Sequence, residues 1–445
     1  MQFIQNNKDI LSPIGFFVLL SLVASLLFGF THTPTWQDAS QYSAYATHLS
    51  SGQGYSLDGV SFSNLREPGY PLFLALVYGV FGNENIFMVT IVQAFLLSLI
   101  AWMFFLIMKG IGHFRPGLIL GAMIILFPSY GYYTHEVGSE ILFMFCVALL
   151  FSLSFLVLKK EKEGGVDPGW YLLLGGVIGY GTLVRVQLLF LLPIMGLIVL
   201  LFFRRYVPWK GVVLTFVSFG ILIGSWSLVC FKYTGSFALT TGRQELILHA
   251  RAVRAELSYK ELGQYFVAWI HKRVSLEYID PMLQRADLVG IISAYTASAT
   301  TPEVIAQIKQ QDLRIIASRP MHYLAGNFIE VGKLYYIEYL YTPYLSKFVR
   351  AGMYTLLYLW TIFGIWALYA FRKHMKKEIL ELCVLVTILV SYNAFILSFF
   401  DTIPRYNTPS IVFFLMIGML GVLVYKAGKA TLREGSSFVM MSTSR

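Results

Sequence analysis

Asp38, Glu136, Glu140, Arg66, Arg185 and Arg405 are isolated ionisable residues beside long apolar runs, where a charge is costly unless it is paired or wetted. A carboxylate so placed can take the proton of an attacking hydroxyl, and a guanidinium can hold a carboxylate or a phosphate. Asp38 lies in Thr35-Trp36-Gln37-Asp38, ahead of a helix-like run with Tyr42, Tyr45, Ala46 and Leu49. There it could equally be a plain first-turn acid that suits the helix dipole. Glu136 and Glu140 stand four apart in Thr134-His135-Glu136-Val137-Gly138-Ser139-Glu140, a loop short enough to hold Glu140 at the membrane surface. A carboxylate costs about 2–3 kcal/mol there unless partnered. Interhelical hydrogen bonding or a cap-like role would also account for the two acids.

Arg185 separates two apolar runs with almost no loop, and Arg405 follows Asp401-Thr402-Ile403-Pro404. A pair with Asp401 would explain Arg405 alone and leave Arg66 and Arg185 without a reason. Arg66 opens the most unusual stretch, Arg66-Glu67-Pro68-Gly69-Tyr70-Pro71-Leu72-Phe73-Leu74-Ala75. Its prolines and glycine force a turn before a 12-residue apolar segment, Tyr70–Phe81, too short to cross a bilayer. Such a segment lies on or dips into the membrane, with Arg66 at its mouth to meet a headgroup; a loop that merely covers helix ends is the plainer reading. The histidines are scattered, and no metal-ligand spacing or glycine-rich phosphate loop occurs.

The elements that must carry these residues are membrane helices. Of 445 residues 57% are hydrophobic and 13% charged, with mean hydropathy +0.65, whereas soluble domains carry about 25% charged residues. The net charge of +10 suggests nucleic acid only until the charges are located: they fall in short patches between apolar runs. Cys146, Cys230 and Cys383 each lie inside an apolar run and read as packed or lipid-facing thiols. Ten spans are expected: Leu11–Phe30, Ile86–Met108, Gly117–Tyr133, Ser139–Leu158, Gly169–Val184, Gln187–Phe203, Gly211–Phe231, Met353–Phe371, Ile379–Phe400 and Thr408–Tyr425. The first lacks a cleavage site and reads as an uncleaved anchor.

Orientation follows from the basic residues. With Tyr70–Phe81 kept outside, segments 1–10, 109–116, 159–168, 204–210, 372–378 and 426–445 hold 17 Lys/Arg in 62 residues, against 3 in 69 for 31–85, 134–138, 185–186 and 401–407. The positive-inside rule then puts both termini in the cytoplasm and the candidate residues outside. The chain divides into an N-terminal membrane module, 1–231, with its first outer loop at 31–85; a large outer loop, 232–352, read as mostly helical; and C-terminal spans with a cytoplasmic tail, 353–445. In the large loop Thr301-Pro302-Glu303 is a helix start, and a second helix after Pro320 runs to about Tyr341. The tail from Gly435 reads as unstructured.

Asp38, the Gly52-Gln53-Gly54-Tyr55 turn, the Arg66-x-Pro-Gly-Tyr-Pro-Leu-Phe-Leu-Ala string, Phe81-Gly82, His135 to Glu140, Arg185 and Pro404-Arg405-Tyr406 occur in an order that resembles the GT-C glycosyltransferases. The bacterial group related to protein mannosyltransferases and aminoarabinose and Rgt-type transferases is the nearest likeness. It is sharpest over residues 31–150, while 232–352 matches only loosely, around Arg319-Pro320-Met321-His322-Tyr323-Leu324. The resemblance implies an all-α, polytopic fold and an enzyme of the cell membrane working on its outer side. It implies a polyprenyl-phosphate-linked sugar donor, a lipid, glycan or protein acceptor, and membrane lipid but no nucleic acid as partners. Asp38 would be the catalytic base, with Glu140 or Glu136 in support, and Arg66, Tyr70, His135, Arg185 and Arg405 would bind substrate. Some relatives carry adjacent acids in the first loop; here Ala39 follows Asp38, so no metal or other cofactor is expected. The alternatives are a transporter or flippase, or an O-antigen polymerase or ligase. The charges at outer helix ends rather than mid-span weigh against the first, and the first-loop Asp against the second.

Overall fold

The computed structural model describes residues 8–29, 37–198, 207–240, 243–274, 302–335, 344–399 and 404–442. Within them the chain is helical: α1 Lys8–Gly29, α2 Gln37–Ser50, α3 Gly69–Phe81, α4 Ile86–Gly110, α5 Phe114–Leu126, α6 Pro128–His135, α7 Glu140–Glu163, α8 Pro168–Val184, α9 Leu191–Ile198, α10 Trp209–Thr234, α11 Arg243–Glu256, α12 Tyr259–Val274, α13 Pro302–Ser318, α14 Pro320–Leu334, α15 Tyr344–Ala370, α16 Lys377–Ser398 and α17 Thr408–Ser442. Among the described residues a lone bridge between Ser56 and Phe62 is the only β pairing.

Among the described residues six helices are long and apolar enough to cross a membrane: α4, α7, α10, α15 from Ala351, α16 and α17 to Thr431. This is a multi-pass membrane protein. Where the sequence suggested ten spans, the remaining ones are met by bent or shorter apolar helices. The third expected span is two helices, α5 and α6, bent by 54°, and they make a seventh crossing if taken together. Phe127 is extended because Pro128 follows it, and proline bars the residue before it from helical geometry. The first and sixth expected spans hold shorter apolar helices, Ser12–Leu27 and Val186–Leu197, and the fifth is the 17-residue α8. α8 stops at Val184 because Arg185 turns extended, and a 3-10 turn, Val186–Leu188, precedes α9. Residues 199–206, which complete the expected sixth span, lie outside the described ones.

α3 is the short segment expected not to cross, and its 13 residues are apolar on every side. Tyr70, Leu74, Val77 and Tyr78 are buried against the protein, while Leu72, Leu76 and Val80 are exposed. A helix apolar on its outer face as well as its inner one suits hydrocarbon there. α4 packs along α1, α5 and α7; α8 along α10 and α7; α15 along α17.

The segment 232–352 is helical where described, as expected, through α11–α14. Thr301 and residues 336–343 lie outside the described residues, so the cap at Thr301 and the reach to Tyr341 do too. α14 is inverted relative to a soluble helix: Asn327, Glu330 and Lys333 are buried, while Met321, Leu324 and Phe328 are exposed. The buried carboxylate of Glu330 meets Arg254 at 3.3 Å and Lys333 at 3.2 Å, and Lys333 lies over the Tyr265 and Trp269 rings. Arg251 ties this layer to the membrane helices by donating to the Ser398 and Phe399 carbonyls at the end of α16. α17 continues as helix to Ser442, where the composition had suggested an unstructured tail.

An apolar groove of about 340 Å³ opens between α7, α8, α9, α10 and α16.

Candidate active site

Two ion pairs meet one small cavity: Glu140 and Arg185 of one pair and Asp38 of the other line it. Asp38 sits in the first turn of α2, where backbone N–H groups favour a carboxylate. It pairs with Arg66, 28 residues on, and Arg66 Nε donates to Gln41 Oε1 at 2.7 Å. Glu140, the first residue of α7, pairs with Arg185, which follows α8; Arg185 Nε donates to Ser139 Oγ at 2.8 Å. Each guanidinium thus donates through Nε and Nη2, one edge of its plane, to two different partners, which fixes its orientation.

The cavity holds about 30 Å³ and is lined by Asp38, Tyr42, Tyr132, Tyr133, Glu136, Val137, Gly138, Ser139, Glu140 and Arg185. It is large enough for a water or a substrate atom, not a whole sugar. The carboxylates differ in access. The Asp38 side chain is 27% exposed, that of Glu140 7%, and Glu136 as a residue 6%. Asp38 is the one open to an arriving group, whereas Glu140 is held down by Arg185.

Gly138 makes room for that hold. A β-carbon on it would lie 2.5 Å from Glu140 Oε2, so the carboxyl folds back over a bare backbone. Glu136 is positioned through its backbone: Gln93 Nε2 donates to the carbonyls of Thr134 at 3.1 Å and Glu136 at 2.8 Å, pinning the α6–α7 link to α4.

Tyr42 lies one helical turn beyond Asp38, on the same face. Its ring is under the Arg66 guanidinium at 5.5 Å and edge-on to Tyr70 at 4.9 Å. Burial pushes the Tyr42 phenol above its ordinary pKa, an effect that Arg66 partly offsets. It therefore stays a neutral donor across the working range of pH. Arg185 is sandwiched by Phe143 at 5.7 Å and Tyr406 at 5.4 Å.

The Arg66 strand is steadied from behind. The Tyr55 hydroxyl donates to the Arg66 carbonyl at 2.9 Å, and the Tyr55 ring stacks on Tyr45 at 4.2 Å. Asp58 has no place in the cavity. Backbone N–H groups of Ser61 and Val60 and the Ser56 hydroxyl occupy its carboxylate and hold its pKa well below the usual carboxylate range.

Of the residues expected from the sequence, the fold brings Asp38, Glu136, Glu140 and Arg185 to one cavity, with Arg66 directly behind Asp38. Two expected binders are elsewhere. His135 points to α1, its Nε2 within 3.0 Å of Ser25 Oγ and 2.7 Å of the Ser25 carbonyl oxygen. Tyr70 is fully buried, its hydroxyl 3.4 Å from Gln93 Oε1, and it supports Tyr42 rather than lining the cavity. Arg405 belongs to a 3-10 turn, Pro404–Asn407, but its side chain and all of Asp401 lie outside the described residues. The sequence reading passed over Tyr42, Tyr132, Tyr133, Ser139 and Tyr406. The i, i+4 spacing from Asp38 could have found Tyr42; nothing local marks the others. Among the described residues no group of three or more His, Cys, Asp or Glu is placed to hold a metal ion.

This is a membrane-embedded helical fold of the GT-C kind. Residues 66–226 match the family described as dolichyl-phosphate-mannose-protein mannosyltransferase, a segment that holds Arg66, Glu136, Glu140 and Arg185 but not Asp38. The resemblance read from the sequence is thereby shown over that segment. Among solved structures, the archaeal oligosaccharyltransferase AglB from Archaeoglobus fulgidus, in complex with an inhibitory peptide and a dolichol-phosphate, aligns at TM-score 0.53 and 11% identity, over 95% of this chain. This chain spans half the length of that one, and the likeness is one of fold. ArnT from Cupriavidus metallidurans bound to undecaprenyl phosphate aligns at TM-score 0.41 and 13% identity, over 95% of this chain and 78% of that one. No curated protein matches the chain.

Proposed function

We propose that the protein is an inverting glycosyltransferase that moves a sugar from a polyprenyl-phosphate donor to a lipid, glycan or protein acceptor at the outer face of the cell membrane. The observation that carries this is the single cavity in which Asp38, Glu136 and Glu140 meet Arg185, walled largely by the segment that matches the mannosyltransferase family. Dolichol-phosphate and undecaprenyl phosphate in the two solved structures are the same class of carrier.

In this reading the acceptor hydroxyl attacks the anomeric carbon as the bond from that carbon to the phosphate oxygen breaks. The hydroxyl proton passes to the Asp38 carboxylate, the most open of the three. The electron pair leaves with the polyprenyl phosphate, whose growing charge Arg185 stabilises, helped by Arg66. One displacement inverts the anomeric centre. Glu140 aims Arg185, and Tyr42 donates a hydrogen bond into the cavity. Arg405 stands as a further phosphate ligand, and a divalent ion is not favoured because Ala39 rather than a second acid follows Asp38.

The wider assignments belong to the same proposal. They are ten membrane segments counting the short helices, both termini in the cytoplasm, and units 1–231, 232–352 and 353–445. The test is purified Asp38→Asn with a polyprenyl-phosphate sugar. Turnover falls by at least about 10²-fold while the protein remains folded; wild-type turnover by a folded variant would remove Asp38 from the chemistry.

A further inference from the structure

The apolar groove has no part in the transfer reaction, although it shares α7 and α8 with the cavity. α7 starts at the cavity with Glu140 and ends at Glu163, roughly 35 Å away at 1.5 Å per residue. The groove is lined by the far half of α7, from Leu150 to Lys162, and by the first half of α16, from Lys377 to Leu389. Each stretch covers about 18 Å, close to the depth of one leaflet of a bilayer with a core about 30 Å thick. Toward the catalytic side it is closed by packed residues: Phe143, Cys146, Val147 and Leu188 are buried, and Tyr392 donates to the Gln187 carbonyl at 2.5 Å. The groove therefore belongs to the leaflet opposite the catalytic cavity.

Its walls are mostly aliphatic and aromatic, so it takes hydrocarbon in preference to water. Its charged residues gather at one end: Lys162, Lys377 and Glu381, with Lys162 and Glu381 paired. Lys377 is exposed there, and the adjoining segments 159–162 and 372–377 are dominated by Lys and Arg. A hydrocarbon-shaped groove with a net positive mouth fits an amphiphile with an acidic head.

We infer that this groove binds an anionic glycerophospholipid of that leaflet, with one acyl chain between α7 and α16 and its phosphate against Lys162 and Lys377. Basic groups near a headgroup layer favour acidic lipid by about fivefold each in affinity. The bound lipid stands in for protein packing and braces α16, whose outer end carries the large outer layer through Arg251.

The full-length chain, purified in mild detergent and stripped of lipid, is titrated with phosphatidylglycerol or phosphatidylcholine of identical chains while the thermal midpoint is followed. The midpoint rises with either lipid as ligand binding requires, and the apparent affinity for phosphatidylglycerol is at least about fivefold higher. Lys162→Gln with Lys377→Gln brings that ratio close to one, and Glu381→Gln, which frees Lys162, raises it. Ser154→Phe, which sends a ring into the groove, abolishes the response to both lipids. Val384→Trp on the exposed lip does the same if Ser154→Phe does not fold. Equal responses of the wild type to the two lipids would overturn the inference, as would a wild-type response from a groove-filled variant. Displacement of phosphatidylglycerol by polyprenyl phosphate in equal proportion would also overturn it and give the groove to the donor's tail.

Discussion

Gly69 approaches Leu183 so closely that a β-carbon on it would lie 2.6 Å from the Leu183 carbonyl carbon. The contact, sealed by the Tyr180 hydroxyl donating to the Gly69 carbonyl at 3.1 Å, fixes the start of α3 against the end of α8. It thus sets the separation of Arg66, three residues before Gly69, from Arg185, two residues after Leu183. Because the obstacle is backbone, Gly69→Ala has no side chain to push aside. It lowers stability by about 1–3 kcal/mol and costs more activity than that loss explains, read from thermal melts beside initial rates.

Gly138→Ala tests the opposite case. The obstructing atom is the mobile end of Glu140, so the fold yields cheaply and the carboxyl swings off Arg185. Stability changes by less than about 1 kcal/mol, while turnover falls at least about tenfold. Gly138→Ala at the wild-type rate would make the Glu140–Arg185 pair incidental to catalysis.

Arg185→Lys keeps the charge but loses the paired Nε and Nη2 contacts with Ser139 and Glu140 and the stacking on Tyr406. Turnover drops about 10²-fold, chiefly in kcat, because leaving-group charge develops only in the transition state. A change confined to KM would instead mark Arg185 as a ground-state ligand.

Tyr42, Tyr45 and Tyr55 all have phenols raised above the ordinary value, in each case first by burial. In the unfolded chain they ionise near pH 10, while in the folded one they resist, so above pH 10 the unfolded state binds fewer protons. The stability they contribute is whole below about pH 10 and declines as pH rises beyond it. Thermal midpoints between pH 8 and 11 fall only over the upper part of that range, and the tyrosinate absorbance rises together with unfolding. Tyrosinate absorbance rising in full before any loss of fold would show these phenols to be solvent-accessible.

Chelation bears on the cofactor reading. Asp38 is already committed to Arg66, and Ala39 follows it. Activity after exhaustive treatment with a chelator stays within about twofold of the untreated enzyme by the general-base reading. Loss of activity that manganese or magnesium restores would assign a resident metal to the site.

Legibility in the sequence followed the range of each interaction. That the chain crosses a membrane several times was readable, because hydropathy is a local property of each run. So was the non-crossing α3, whose Pro-Gly-Tyr-Pro start and 13 residues limit its reach. The break at Phe127 was missed, since Pro128 lay inside a run whose hydropathy alone looked continuous. His135 looked functional only because it adjoins Glu136; its helix turns it toward Ser25 instead.

By itself the sequence determined which charges were too isolated to be surface decoration, because a cation or carboxylate at a helix end in lipid needs a reason wherever the chain folds. It could not decide which of them are partners. Asp38 with Arg66 spans 28 residues and Glu140 with Arg185 spans 45, across helices whose separation depends on packing at points such as Gly69 and Gly138. Only the tertiary structure turned five of these isolated charges, Asp38, Arg66, Glu136, Glu140 and Arg185, into two ion pairs and a third acid at one cavity, with Asp38 the most exposed of the acids.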